Sequence, residues 1–295
     1  MTSSWIKPHF LQKDVNNQIV DYVFARQCRR GGFCFYKLEE PNGSDSYHAL
    51  SILDLLEVPF QDEKTAVYLR NMQHDDGSYD SVFSAYYSIK GLRLLQHRPR
   101  YNPEPYIRKH LERFALDVRK LPPEIHSIFK RLLYVVELYL SLGMERDEWV
   151  EKNIVDFILS FQNEDRGFGN HKSNLTDTAK ALVMLDRLGY PVQELECERF
   201  IRLCATPLFG FTDIPHRSLS YLEYIHAGIL ASYVISIRPR YSDSCATFIL
   251  DCQNRNGGFS RVPHAGIATM EDTYYAAHAM KMLLSERFWQ EPPRR

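Results

Sequence analysis

Apolar residues along the chain recur at the three-to-four spacing of a helix face, and the helical runs themselves recur as a unit. One apolar run ends in a segment containing Gln. A Gly-aromatic turn follows, then about a dozen loop residues, and Asp-Ser or Asp-Thr opens a second apolar run. The clearest copy runs Cys252-Gln253-Asn254-Arg255-Asn256-Gly257-Gly258-Phe259, then Ala268-Thr269-Met270-Glu271-Asp272-Thr273-Tyr274-Tyr275-Ala276. Residues 158–184 repeat it with Gln162, Gly167-Phe168 and Asp177-Thr178-Ala179, and residues 22–56 with Gln27, Gly32-Phe33 and Asp45-Ser46-Tyr47. A further copy has Gln73-His74-Asp75-Asp76-Gly77-Ser78-Tyr79, and another places Ala205 at the Gln position before Gly210-Phe211.

The turn aromatics Phe33, Tyr79, Phe168, Phe211 and Phe259 are 46, 89, 43 and 48 residues apart. The long gap spans two periods of about 45, within the range of helical repeats. A degenerate unit therefore fills it, with helices expected over 106–119 and 125–142 and a break at Leu121-Pro122-Pro123. Other helices are expected over 47–56, 83–95, 221–235 and 274–284, with the first beginning over 20–26, and no strand is expected. Six helix pairs result, able to close into a ring of inner and outer helices that leaves no repeat end exposed. The domain spans 17–285, between a leader (1–16) and a charged tail (286–295). Asp45 is placed to N-cap the helix after it, and Asp177 and Asp272 hold the same repeat position, so capping is one reading of all three. Asp76-Gly77 reads as a turn.

Composition narrows the class. With 44% hydrophobic and 25% charged residues, the 295-residue chain is expected to be a soluble globular protein. A net charge of −1 gives no global field to recruit nucleic acid or an acidic membrane surface. The six cysteines form no CxxC pair, as for reduced thiols in a cytoplasmic protein. No 18-residue apolar run is present to span a membrane, and residues 1–16 have no apolar signal core. The 18 Tyr and 17 Phe exceed what helix packing requires, so they either fill the middle of the ring or line a ligand cavity there.

The two complete turns, Gln73 to Tyr79 and Gln253 to Phe259, resemble the Gln-x-x-x-Gly-x-aromatic motif of the prenyltransferase and squalene-cyclase repeat family, over residues 20–285. The resemblance implies an all-α fold, an (α/α)6 toroid with an aromatic-lined central cavity. It also implies one of two chemistries. Protein prenyltransferase β subunits use zinc to join farnesyl or geranylgeranyl groups to cysteine. Class II terpene cyclases protonate an alkene with an Asp-rich motif. Thioester domains share the ring, but the chain has no Gly-Cys-Gly-Glu-Gln motif.

In the β subunits zinc is held by an Asp, a Cys two residues on, and the His of an Asp-x-Tyr-His segment. Those positions correspond here to Asp177, Ala179 and Tyr275, so one donor remains and zinc is not expected. The diphosphate-binding Arg and Lys correspond to His171 and Asn174, with Lys172 a partial substitute. Asp45-Ser46-Tyr47-His48 keeps the Asp-x-Tyr-His pattern, but in the first unit. A transferase would draw its cations from Lys172, Arg217 and Arg261, with magnesium entering only for a diphosphate substrate.

The cyclase motif Asp-x-Asp-Asp-Thr resembles Thr269-Met270-Glu271-Asp272-Thr273, with Glu271 at the position of the acid. Alkene protonation needs a protonated carboxyl, dry walls and π faces for the cation. Asp272 serves as partner or cap, and a carboxylate beside another raises one pKa of the pair. Asn174-Leu175-Thr176-Asp177-Thr178 fits the frame less well, with Thr176 at the acid position. Tyr47, His48, Tyr86, Tyr224, Tyr274 and Tyr275 are expected to contact an isoprenoid or other hydrophobic small molecule. His226 and His278 are expected in the core or cavity wall. Familiar class II cyclases pair two such domains, so a single ring would close its cavity with loops or as a homo- or hetero-oligomer. The leading expectation is a metal-independent, cofactor-free isoprenoid cyclase with Glu271, Asp272 and Asp177 at its acid site. A prenyltransferase-type enzyme and a non-catalytic binding or scaffold ring stand as alternatives.

Overall fold

The computed structural model describes residues 13–35, 40–116, 128–285 and 288. Among these lie twelve α-helices. They are α1 (Lys13–Phe24), α2 (Gly43–Leu55), α3 (Glu63–Arg70), α4 (Val82–Leu94), α5 (Glu104–Leu116), α6 (Ile128–Ser141), α7 (Glu148–Leu159), α8 (Leu175–Arg187), α9 (Glu198–Cys204), α10 (Leu222–Val234), α11 (Ser242–Asp251) and α12 (Met270–Leu284). The fold is all-α, with two corrections of detail. Ala205–Thr206 (β1) and Gly210–Phe211 (β2) form a two-residue antiparallel ladder where no strand was expected. The first helix starts at Lys13 rather than near residue 20. The break at Leu121-Pro122-Pro123, most of the leader and nearly all of the tail lie outside the described residues.

The chain divides into two compact units. One, the α2–α7 unit, comprises Val23–Phe161 and Arg187–Tyr190. In it α2 packs on α4 and α4 on α6, while α3 and α5 flank them. The other, the α8–α12 unit, comprises Met1–Tyr22, Gln162–Asp186 and Pro191–Arg295. In it α10 packs on α12, with α9 and α11 alongside.

The repeated turn has a physical cause. Each turn aromatic pairs with the residue six positions earlier: Gln27 with Phe33, Gln73 with Tyr79, Gln162 with Phe168, Ala205 with Phe211, and Gln253 with Phe259. The Gln amide then closes the turn, donating to Gly77 O from Gln73 (3.0 Å) and to Gly257 O from Gln253 (3.3 Å). Gln73 also clamps the next segment, donating to Tyr101 O and accepting from Tyr101 N. Gly257 sits at φ +87, and a Cβ there would lie 2.1 Å from Gln18 O, so both conformation and space require glycine. The ring beyond the turn is buried, with Phe33, Phe168 and Phe259 at 0% exposure. Removing each such ring from water contributes about 1.5–3 kcal/mol.

The aspartates of the Asp-Ser/Thr signature are not N-caps. Each is the third residue of its helix, and the cap stands three positions earlier, at Asn42, Asn174 or Thr269. Asn42 Oδ1 accepts from Asp45 N (2.8 Å), Asn174 Oδ1 from Asp177 N (2.7 Å), and Thr269 Oγ1 from Asp272 N (2.9 Å). The carboxylates return the bond, Asp177 Oδ2 accepting from Asn174 Nδ2 (2.8 Å) and Asp272 Oδ2 from Thr269 Oγ1 (2.7 Å). This is a variant of the capping box: Asp stands in the usual Glu position but bonds the cap's side chain, because the cap's backbone N–H donates to the carbonyl of Phe33, Phe168 or Phe259. It also explains why the helices begin a turn earlier than expected at α2 and α12. The hydroxyl that follows has its own task. Ser46, Thr178 and Thr273 each accept from the backbone N–H of the turn aromatic, Phe33, Phe168 and Phe259, at 2.9, 2.9 and 3.0 Å. One dipeptide thus starts the inner helix and pins the turn to it.

Candidate active site

The α8–α12 unit holds nine of the twelve expected site residues, four of them, Glu271, Asp272, Tyr274 and Tyr275, at the start of α12. Glu271, Tyr274, Tyr275 and His278 are spaced to share one face, and all four are half-buried, between fully buried Met270, Thr273, Ala276 and Ala277. That face meets α10. His226 stacks on Tyr275 with ring centroids 4.7 Å apart, and His278 stacks on Tyr274 at 5.4 Å. The two imidazoles hydrogen-bond directly, His226 Nε2 to His278 Nδ1 at 3.0 Å. Burial first, and then the neighbouring imidazole and Lys180, holds His226 well below its ordinary value. Burial and Lys281 push His278 down to about 4. Near neutral pH the pair is therefore uncharged, and one ring donates its single N–H to the other.

The two carboxyls are held differently. Tyr275 Oη donates to Glu271 Oε1 at 2.8 Å, one helical turn on. Asp272 is pushed up to about 6, chiefly by burial. Its bond from Thr269 opposes the rise, Glu271 and Glu223 reinforce it, and Arg261 opposes it. The Arg261 guanidinium lies 4.0 Å over the Tyr221 ring, and Tyr221 packs on Tyr224 at 5.1 Å. Burial raises the Tyr224 phenol, and Asp213 and Glu223 add to the rise.

Asp177, Lys172 and Arg217 stand elsewhere in this unit. Asp177 is buried in its capping box, with Lys180 Nζ 3.9 Å from its second oxygen. Lys172 and Arg217 are exposed on the loops before α8 and α10.

Tyr47, His48 and Tyr86 belong to the α2–α7 unit. Tyr47 and Tyr86 share a hydroxyl–hydroxyl bond of 3.1 Å, and Tyr86 stacks on Tyr134 at 3.9 Å with planes 7° apart. His48 is buried against Tyr47 and Tyr87, its Nδ1 3.3 Å from Ser44 Oγ. Sequence reasoning missed Tyr134 and the Lys90–Glu137 pair (3.3 Å) beside it. Both Tyr134 and Glu137 lie on α6, in the degenerate unit, where no Gly-aromatic turn sets the inner-helix register.

The residues do not fit the zinc site of protein prenyltransferases. Position 179 is a buried methyl, Tyr275 donates to Glu271, and the Asp177 carboxylate is committed to Asn174 and Lys180. Among the described residues, no three His, Cys, Asp or Glu side chains cluster so as to hold a metal ion. All six cysteines are buried, and burial pushes the Cys197 and Cys252 thiols up to about 12.

Residues 3–92 and 106–291 match the family model of the prenyltransferase alpha-alpha toroid domain. The chain belongs to this family. No curated protein matches the sequence. Among solved structures, Candida albicans protein geranylgeranyltransferase-I complexed with GGPP aligns with a TM-score of 0.60 at 16% identity, over 81% of this chain and 83% of that one. A variant of the type II terpene cyclase MstE from Scytonema, in complex with geranylgeranyl dihydroxybenzoate, aligns at 0.60 and 9% identity, over 94% and 98%. A protein from Actinoplanes aligns at 0.55 and 14% identity, over 92% and 99%. At such identities the likeness is one of fold, and both chemistries occur on it. Among the described residues, no helix of this toroid-family chain is long and apolar enough to cross a membrane.

Proposed function

We propose that this toroid-family protein is a metal-independent, acid-initiated isoprenoid cyclase acting in the cytoplasm, with the Glu271–Asp272 pair as its acid. One observation carries the reading: Asp272, a carboxyl pushed up to about 6, adjoins Glu271, which heads a helix face of stacked Tyr and neutral His rings. A carboxyl at that value keeps part of its protons near neutral pH. In the proposed step the alkene π pair takes the Asp272 proton, a C–H bond forms as the O–H bond breaks, and the neighbouring carbon becomes cationic. Tyr274 and Tyr275 offer π faces to that cation. Uncharged His226 and His278 add no competing positive charge. Glu271 accepts from Tyr275, and its neighbouring charge adds to the rise of Asp272. This exchanges the roles expected from the motif alone, where Glu271 was the donor. Asp177 supports the Asn174 cap and takes no part in the step.

The Scytonema cyclase supports the reading on size, since this chain covers 98% of it, so one chain of this extent carries a terpene cyclase fold. The test is turnover of geranylgeranyl substrates, with and without diphosphate, by the wild type and by Asp272→Asn and Glu271→Gln. A cyclised product that disappears in Asp272→Asn supports the assignment. An undiminished product in that variant refutes it.

A diphosphate-using transferase is the second reading. Arg261 favours it, being a cation fixed beside Asp272 and Tyr221. It requires product formation that depends on the diphosphate and fails in Arg261→Gln. Absence of any product from either substrate class favours a non-catalytic ring.

A further inference from the structure

The net charge of −1 conceals a local imbalance. Three loops precede the inner helices of the α8–α12 unit: 169–174 before α8, 212–221 before α10, and 260–269 before α12. Backbone bonds join them into one rim. Leu175 N donates to Asp213 O (2.7 Å) and Leu222 N to Arg261 O (2.9 Å). Lys172, Arg217 and Arg261 are exposed there, and among the described residues these loops expose no carboxylate. Their one acid, Asp213, is half-buried and accepts from Thr176 N and Oγ1. Two large apolar side chains stand out among the cations, Leu219 at 51% exposure and Ile267 at 59%.

We propose that this rim docks on an anionic phospholipid surface. Headgroup phosphates and carboxylates match the three cations, each of which adds about fivefold to partitioning at such a surface. Leu219 and Ile267 match the acyl boundary just beneath the headgroups, where exposed aliphatic side chains leave water. The mixture separates a lipid surface from a soluble polyanion, which offers the cations partners but gives the two aliphatic tips nothing. The mode is peripheral attachment, compatible with a chain whose described helices do not span a membrane. It stands independently of the acid chemistry, because Leu219 and Ile267 take no part in it.

Cosedimentation with vesicles tests the proposal. Phosphatidylcholine vesicles containing about 30 mol % phosphatidylserine should pellet the protein at about 0.1 M salt and release it at about 1 M. Pure phosphatidylcholine vesicles should not pellet it. Arg217→Gln should lower partitioning about fivefold. The double variant Leu219→Ser/Ile267→Ser should lower it more than about tenfold with an unchanged thermal transition. Failure to pellet with the anionic vesicles overturns the proposal, as does equal pelleting with neutral ones. Wild-type partitioning by the double variant, or release from vesicles by millimolar inorganic diphosphate, also overturns it and leaves a plain anion site.

Discussion

The aromatic face of the α2–α7 unit and that of the α8–α12 unit start from the same repeat. Among the helices that carry them, α2, α4 and α12 open with a third-position carboxylate or hydroxyl, Asp45, Ser84 and Asp272, and continue into aromatic residues. In the α2–α7 unit the rings are tyrosines at 8–9% exposure that satisfy one another, Tyr47 to Tyr86 by hydroxyls and Tyr86 to Tyr134 by stacking. The charges nearby are paired, with Glu137 lying between Lys90 (3.3 Å) and Arg187 (3.5 Å). In the α8–α12 unit two histidines bond directly to each other among the tyrosines, and the carboxyls at the helix start are adjacent. Burial there moves a carboxyl up and two imidazoles down, toward or past neutrality. Groups poised in this way accompany chemistry more often than groups whose charges are balanced. The same scaffold position therefore gives a closed wall on one unit and a titrating one on the other.

The largest contrast expected is in turnover. Asp272→Asn should lower kcat by about 10²–10⁴-fold, the range for losing a general acid. Tyr86→Phe, in the closed wall, should leave kcat within about threefold, since it removes no proton donor of the reaction. Wild-type kcat should fall about tenfold per pH unit once pH exceeds the Asp272 value of about 6, because only the protonated carboxyl reacts. A pH-independent kcat between 5 and 8, measured at saturating substrate, would remove Asp272 from the mechanism.

The next contrast concerns stability, where the two units should behave alike. Phe33→Ala and Phe259→Ala each delete a fully buried turn ring, one in each unit. Each should cost about 3–5 kcal/mol, read from denaturant midpoints. A much smaller loss at one site would mean that its turn relaxes around the gap and that the shared repeat is not shared in energy.

The turns and the helix pairing were legible because their causes are local. Gln, Gly and the aromatic ring act within seven residues, and their spacing survives in the sequence. The capping positions were misread by three residues because Asp, Asn and Thr all suit a helix start, and only backbone geometry tells the cap from the residue that answers it. Roles within the site were less legible. The pairing of His226 with His278 joins residues 52 positions apart, and the separate bonds of Glu271 to Tyr275 and of Asp272 to Thr269 depend on the built helix. Tyr134 was hidden because its unit lacks the turn that sets the register.

The acid–base character of the α8–α12 wall should also appear in the pH dependence of stability, with two opposed slopes. His226 and His278 are held below their ordinary value of 6.5, so their contribution is complete above that pH. It is lost as pH falls toward 4, where the unfolded chain binds protons that the folded pair refuses. Asp272 acts in reverse. Its folded value of about 6 lies above the ordinary 3.8, so the folded chain keeps a proton that the unfolded chain has released, and stability declines as pH rises from 4 to 6. Replacing His278 by Asn should flatten the acid-side loss, and Asp272→Asn should raise the Tm above pH 6 while removing turnover. Thermal melts between pH 4 and 8 check both signs.

The smallest effect expected belongs to the closed wall. Tyr47→Phe removes one side of the 3.1 Å hydroxyl pair with Tyr86 and leaves the ring packing intact. Burial holds the Tyr47 phenol above its ordinary value, so it stays neutral and its loss moves no charge. A neutral hydrogen bond of this kind contributes about 1 kcal/mol, which at this chain length shifts the Tm by about 2–4 °C. The shift should be the same at pH 5 and pH 8, unlike that of Asp272→Asn. A pH-dependent Tyr47→Phe effect would bring in His48, whose buried ring lies 5.2 Å from that of Tyr47, and the distinction between the two faces would then rest on the carboxyl pair alone.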